Sequence, residues 1–149
     1  MNLVTTITIL ASPAQIWQAM FDPLVMSRCM PGLVDWEELE PRKAYRLLMN
    51  WGAAGSGKLQ VPVVVKWEEA VPDEYAAWVA DVSFGSNTLP ITGSVRLNAE
   101  ETAKVNVELT AQMGAHPIFS PMANNTAPKI LVPLFKCLRA HLEKTNHDN

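Results

Sequence analysis

The sequence is poor in the features that most often announce a function. Charge is scarce and balanced: 12 Lys and Arg stand against 15 Asp and Glu, a formal net charge of −3, and only 18% of residues are charged. Neither a basic nucleic-acid footprint nor an acidic disordered tail fits those figures. Apolar residues make up 48% of the chain, yet no uninterrupted apolar run approaches the ~20 residues that span a bilayer. A soluble protein is expected. The opening MNLVTTITIL has neither the basic region nor the cleavage site of a secretory signal, so a cytoplasmic location is expected. Cysteine is reduced to Cys29 and Cys137, unclustered, which gives neither a metal-binding spacing nor a disulfide framework. Both are expected as reduced, packed thiols. Histidine occurs only as His116, His141 and His147, and no set of converging ligands can be assembled around them. No metal and no cofactor are expected.

Glycine is also sparse, but Gly52, Gly55 and Gly57 crowd into WGAAGSGKL, residues 51–59. Gly52, Gly57 and Lys58 imitate a phosphate-cradling loop. That motif requires a hydroxyl where Leu59 stands and a helix immediately after it. The chain continues instead with LQVPVVVKW, an alternating, Val-rich run with Pro62 inside it, which is a strand. The glycines therefore turn one strand into the next.

At 149 residues the chain suits a single domain, residues 1–149. Residues 2–11 alternate as a first strand. In SPAQIWQAMF, Ser12 caps, Pro13 fits the first helical position and Gln15 completes a capping box, so a helix of about three turns begins there. Asp22-Pro23 repeats the start signal for a short helix, PLVMSRC, ended by Pro31-Gly32. Six strands follow at 33–40, 43–51, 58–69, 75–84, 90–98 and 103–113, separated by short turns that favour an antiparallel meander. Leu131, Leu134, Leu138 and Leu142 mark a C-terminal helix. Pro121, Pro128 and Pro133 predict a late start or a kink, and the polar tail EKTNHDN is expected to fray. The order β-α-α-β6-α defines an α+β fold, a bent seven-stranded antiparallel sheet wrapped around one long helix.

Alternate strand positions collect Tyr45, Leu47, Met49 and Trp51, then Val61, Val63, Val65 and Trp67, then Trp78, Ala80, Val82 and Phe84, on one nearly nonpolar face. The β-strands near the end add Ile91, Val95, Leu97, Val105, Val107, Leu109, Ala111 and Met113. A curved sheet of this size encloses more space than one helix fills, and apolar concavities with few polar groups are what small-molecule sites look like. Trp51, Trp67, Trp78 and Phe84 are the candidate walls, Met49 and Met113 the adaptable surfaces, and Leu134 and Leu138 the closure from the helix. Tyr45, Arg28 or His116 could meet a headgroup. Carboxylates fall on outward positions or in turns, so no acid pair presents itself for hydrolysis. His116, before Pro117, is the one histidine near the cavity end, and an ordinary turn residue is the competing account. Cys29 lacks an evident base. No catalytic residues are assigned.

The stretch SPAQIWQAMFDPLVMSRCMPG, residues 12–32, resembles the N-terminal signature of the carbon monoxide dehydrogenase G-subunit family through Pro13, Trp17, Asp22, Pro23, Cys29, Pro31 and Gly32. GSVRLN, 93–98, resembles that family's Gly-x-x-x-Leu strand, and the helix with Phe135 falls where its C-terminal helix would. The resemblance implies the helix-grip fold of the START/polyketide-cyclase-like superfamily and an elongated hydrophobic cavity. It also implies an accessory role beside a molybdenum-containing dehydrogenase, with attachment to a membrane or delivery of a quinone. The Pro-rich last helix and the ending at Asn149 depart from membrane-attached members. The resulting expectation is a non-catalytic carrier for a quinone, isoprenoid or lipid, with transient membrane contact through residues 118–135 left open. Shielding apolar ligand surface supplies about 25 cal/mol per Å². A cyclase- or dehydratase-like enzyme and a ligand-free assembly subunit are the alternatives.

Overall fold

The computed structural model describes the backbone of residues 2–50, 60–113 and 120–148, and the side chains of these except 2, 120–126, 147 and 148. The elements are β1 (Asn2–Ile9), α1 (Pro13–Met20), α2 (Pro23–Cys29), β2 (Leu33–Glu40), β3 (Ala44–Asn50), β4 (Gln60–Val71), β5 (Tyr75–Phe84), β6 (Asn87–Glu101), β7 (Lys104–Met113) and α3 (Ser120–Asp148). All strands join one antiparallel seven-stranded sheet in the order β1-β7-β6-β5-β4-β3-β2. With two short helices and a C-terminal helix, this is an α+β, helix-grip-like fold.

Local signals account for the first turns of the chain. Ser12 Oγ accepts from the Gln15 backbone N–H at 3.2 Å while Gln15 Oε1 accepts from the Ser12 N–H at 2.9 Å, the reciprocal capping box. Asp22 caps α2 by accepting from the Leu24 N–H at 3.0 Å. Because α2 starts so soon, α1 is 8 residues long, shorter than its apolar stripe alone predicts. Gly32 follows with φ +74°, and a Cβ there would lie 2.9 Å from the Asn50 carbonyl oxygen. A glycine is thus required where the chain leaves α2 and enters β2.

Pro62 and Pro90 lie inside strands without breaking the sheet. Pro62 pairs with Leu48 of β3, and the β4–β5 ladder begins only at Val63↔Val82. Pro90 pairs with Asp81 of β5. Pro62 therefore sits where its strand has a neighbour on one side, so its missing N–H costs no ladder bond. β6 starts at Asn87, paired with Phe84, upstream of the expected boundary at 90.

Two expectations are corrected. Cys29 and Cys137 are not free thiols: they form a disulfide across a sequence separation of 108, with Cα atoms 5.5 Å apart. The spacing carried no signal because the pairing depends on the end of α2 meeting α3. The tail does not fray at Glu143, either, for α3 continues to Asp148. Asn146 holds it, accepting from Gln15 Nε2 at 2.8 Å and donating to the Leu10 carbonyl at 3.1 Å. The long helix also runs through Pro128 and Pro133.

The core lies between the concave sheet face and the helices. One cluster gathers Ile7, Ile9, Val105, Val107 and Leu109 of the β1–β7 side against Ile16, Met20, Leu138 and Leu142. A second gathers Leu47, Met49, Val61, Val63, Val82 and Ile91 on the β3–β6 side. Among the described residues no polar or charged side chain is buried, and no helix is long and apolar enough to cross a membrane.

Candidate functional site

Between the two clusters a void of about 120 Å³ remains. Its floor is the concave sheet: Leu47 and Met49 from β3, Val63, Val65 and Trp67 from β4, Trp78, Ala80 and Val82 from β5, Ile91 and Val95 from β6. Period-2 alternation puts these side chains on one face, and the register aligns them, with Trp67 opposite Trp78, Val65 opposite Ala80 and Val63 opposite Val82. The roof is α3, through Ala127, Ile130, Leu131, Leu134 and Phe135, and α2 closes one side with Met26 and Met30. Every one of these side chains is apolar.

Two packing arrangements fix the tryptophans. The Trp67 ring lies 4.6 Å from that of Phe21, which lies 4.8 Å from Trp17, so α1 braces the indole at the cavity wall. Trp78 is opposite Gly93 in the β5–β6 register. A Cβ on Gly93 would penetrate the Trp78 indole and crowd the Thr110 carbonyl oxygen. The absent side chain lets the indole lie across β6.

Of the residues expected to meet a ligand, Met49, Trp67, Trp78 and Leu134 are on the cavity wall. Tyr45, Phe84, Met113 and Leu138 are buried within the packed clusters and are not part of the wall. They share the correct face, but Phe84 and Met113 lie toward the end of the sheet where Leu89 packs, and Leu138 lies beyond the roof among Ile9 and Val105. Trp51, His116 and the glycine loop lie outside the described residues.

The contribution of α2 escaped sequence reasoning. Met26 and Met30 are four apart, one helical turn, and that spacing was the available signal for a second lining surface. Phe135 and Ile130 likewise follow from the 3.6-residue period once the roof-facing side of α3 is known.

On the β2–β3 side, Tyr45 and Trp36 bring polar groups into the cluster that supplies much of the lining. Trp36 and Tyr45 have ring centroids 4.9 Å apart, and the buried Trp36 indole N–H has no acceptor among the described residues. Burial raises the Tyr45 phenol above its ordinary value, with Glu38 adding to the shift and Arg42 opposing it. Tyr45 is therefore a neutral phenol at physiological pH. No group of three or more His, Cys, Asp or Glu suited to a metal ion occurs among the described residues.

No protein-family model matches this chain, and no curated protein matches it. Solved structures do match. A conserved protein from Geobacillus kaustophilus superposes with a TM-score of 0.80 at 17% identity, covering 97% of each chain. Protein CV1439 from Chromobacterium violaceum gives 0.73 at 18% identity, covering 95% of this chain and 96% of its own. A START superfamily protein from Mycobacterium smegmatis gives 0.72 at 14% identity over 97% of this chain and 98% of its own. At these identities the likeness establishes the START-like fold.

Proposed function

We propose that this chain is a non-catalytic binding or carrier protein for a hydrophobic small molecule, held between the sheet, α2 and α3. One observation carries the reading: a void of about 120 Å³ whose described lining residues are all apolar. An apolar cavity of about 150 Å³ stays dry and takes up benzene. A comparable void here suits one ring or a short hydrocarbon stretch, bound by removal from water and by contact with polarisable Met and Trp surfaces. General acid–base or nucleophilic catalysis needs a polar group within hydrogen-bond reach of the bound molecule, and the described lining residues supply none.

The finer reading names a quinone, isoprenoid or lipid as the ligand and a molybdenum-containing dehydrogenase as the partner, with a transient membrane contact. It rests on the resemblance of residues 12–32 to the carbon monoxide dehydrogenase G-subunit family. In this reading a quinone ring or the start of an isoprenoid chain would lie between the apolar floor and the α3 roof.

Native mass spectrometry of protein purified without detergent, followed by organic extraction, tests the proposal. A stoichiometric apolar molecule is expected. Protein that arrives empty and shows no change in tryptophan fluorescence with any apolar ligand offered would refute a carrier and favour an assembly subunit.

A further inference from the structure

Among the described residues, Met30, Trp36, Trp67 and Trp78 are the partly buried side chains that pack against both core clusters. Met30, Trp67 and Trp78 line the void between those clusters, and Trp36 adjoins it. In the β2–β3 register Trp36 stands opposite Leu47, a residue of the cavity floor. Residues directly opposite in an antiparallel pair share a face, so the indole lies on the concave side next to that floor. β2 is otherwise exposed there, with only Leu33 and Trp36 partly buried. The Tyr45 ring packs 4.9 Å from the indole and limits its rotation.

An indole has one donor and no acceptor. The Trp36 N–H is shielded from solvent and has no partner among the described residues. Buried donors are seldom left unpaired, because the lost hydration is not repaid. A phenyl ring at this position would fill much of the same space without that cost. The unfilled space adjoining both clusters is the void, so a molecule held there can bring the acceptor that the protein does not.

We propose that the Trp36 indole N–H is the polar anchor of the cavity, donating a hydrogen bond to a carbonyl oxygen of the bound molecule. This rests on the carrier reading and adds the ligand class: a compact, mostly apolar carbonyl compound, its oxygen toward β2 and its hydrocarbon part on Leu47, Met49, Trp67 and Trp78. A carboxylate or phosphate would be buried without a counter-charge, since no described lining residue is charged. An alcohol or amine would bring a donor of its own, for which the described lining side chains hold no acceptor. A carbonyl oxygen is uncharged and only accepts.

The test titrates nitrogen-15-labelled protein with acetophenone and with α-methylstyrene, a near-isostere in which a methylene replaces the carbonyl oxygen. Each of the five tryptophans carries one indole N–H, followed by NMR. The Trp36 signal is assigned by its loss in Trp36→Phe and, independently, by its through-space contacts with the Tyr45 ring in the parent protein, so the parent spectrum decides even where the variant fails to fold. Both molecules are expected to bind, and acetophenone to move the Trp36 signal downfield in a way α-methylstyrene does not. Trp36→Phe is expected to weaken acetophenone about threefold to tenfold and α-methylstyrene by less than about twofold. A Trp36 signal that responds alike to both bound molecules, or an equal loss of affinity for both in Trp36→Phe, would overturn the anchor and leave the carrier reading intact. Failure of the parent protein to bind either molecule would sink the carrier reading and the anchor with it.

Discussion

Gly93 and Trp78 show how one residue's lack of a side chain shapes another's surroundings. The Trp78 indole occupies the space a Gly93 Cβ would need, so Gly93→Ala is expected to destabilise the fold by about 1–3 kcal/mol through overpacking. Urea denaturation of Gly93→Ala, Trp78→Ala and the double variant checks the cause. A coupling of roughly 0.5–3 kcal/mol marks direct contact, and additive effects would exclude it. Tyr45 makes a prediction of the opposite kind, visible only at high pH. Its phenol is raised from 10.0 by burial and by Glu38, so the unfolded chain loses its proton first as pH rises. Its contribution is intact below the unfolded value and is lost as pH climbs through the folded one. Tyr45→Phe should therefore lose less stability than the parent above pH 10.0, read from urea midpoints across an alkaline series. Parallel curves for the two proteins would refute the shift.

α3 combines two kinds of contact along one helix. Leu138 is fully buried among Ile9, Ile16 and Val105, whereas Leu134, one turn earlier, already borders empty space. Truncating a buried leucine to alanine costs about 2–5 kcal/mol, depending on how far the surroundings close over the vacated volume. Leu138→Ala is expected near the upper end and Leu134→Ala near the lower, with Leu134→Ala also enlarging the ligand space; chemical denaturation and probe binding measure the two effects. The elements themselves were largely legible in the chain: Ser12, Pro13 and Gln15 announced α1, Asp22-Pro23 announced α2, and strict alternation placed β5 at its observed limits because those signals act within a few residues. The cavity face was legible for the same reason. Its extent along that face was not, since the boundary between packed and unpacked residues is decided by where α3 crosses the sheet. Nor was the wall from α2: the four-residue spacing of Met26 and Met30 puts both on one side, but nothing local states that this side meets the cavity. The acidic composition of β2, with Asp35, Glu37, Glu38 and Glu40, has a use at the sheet edge. A strand without an outer neighbour that carries like charges resists pairing with another copy.

At the scale of the whole molecule, the tether between Cys29 and Cys137 spans 108 residues, and closing a loop of that size restricts the unfolded chain by roughly 4–5 kcal/mol in the chain-entropy description. Reduction is expected to lower the urea midpoint and to steepen the transition, because the unfolded chain without the link is less compact and exposes more surface. A midpoint unaffected by dithiothreitol, with both thiols titrated, would show that the link contributes nothing to stability. The strand order has a further consequence, for synthesis. β1 and β2 are neighbours in the chain but occupy opposite edges, and β1 finds its partner only in β7, from Ile9↔Val105 to Asn2↔Gln112. At translation rates of about 5–20 residues per second, the first strand emerges several seconds before the last one exists. Thr5, Ile7 and Ile9 must wait for Leu109, Val107 and Val105 with their apolar face uncovered, so the nascent chain is the stage at which this protein most needs protection from aggregation.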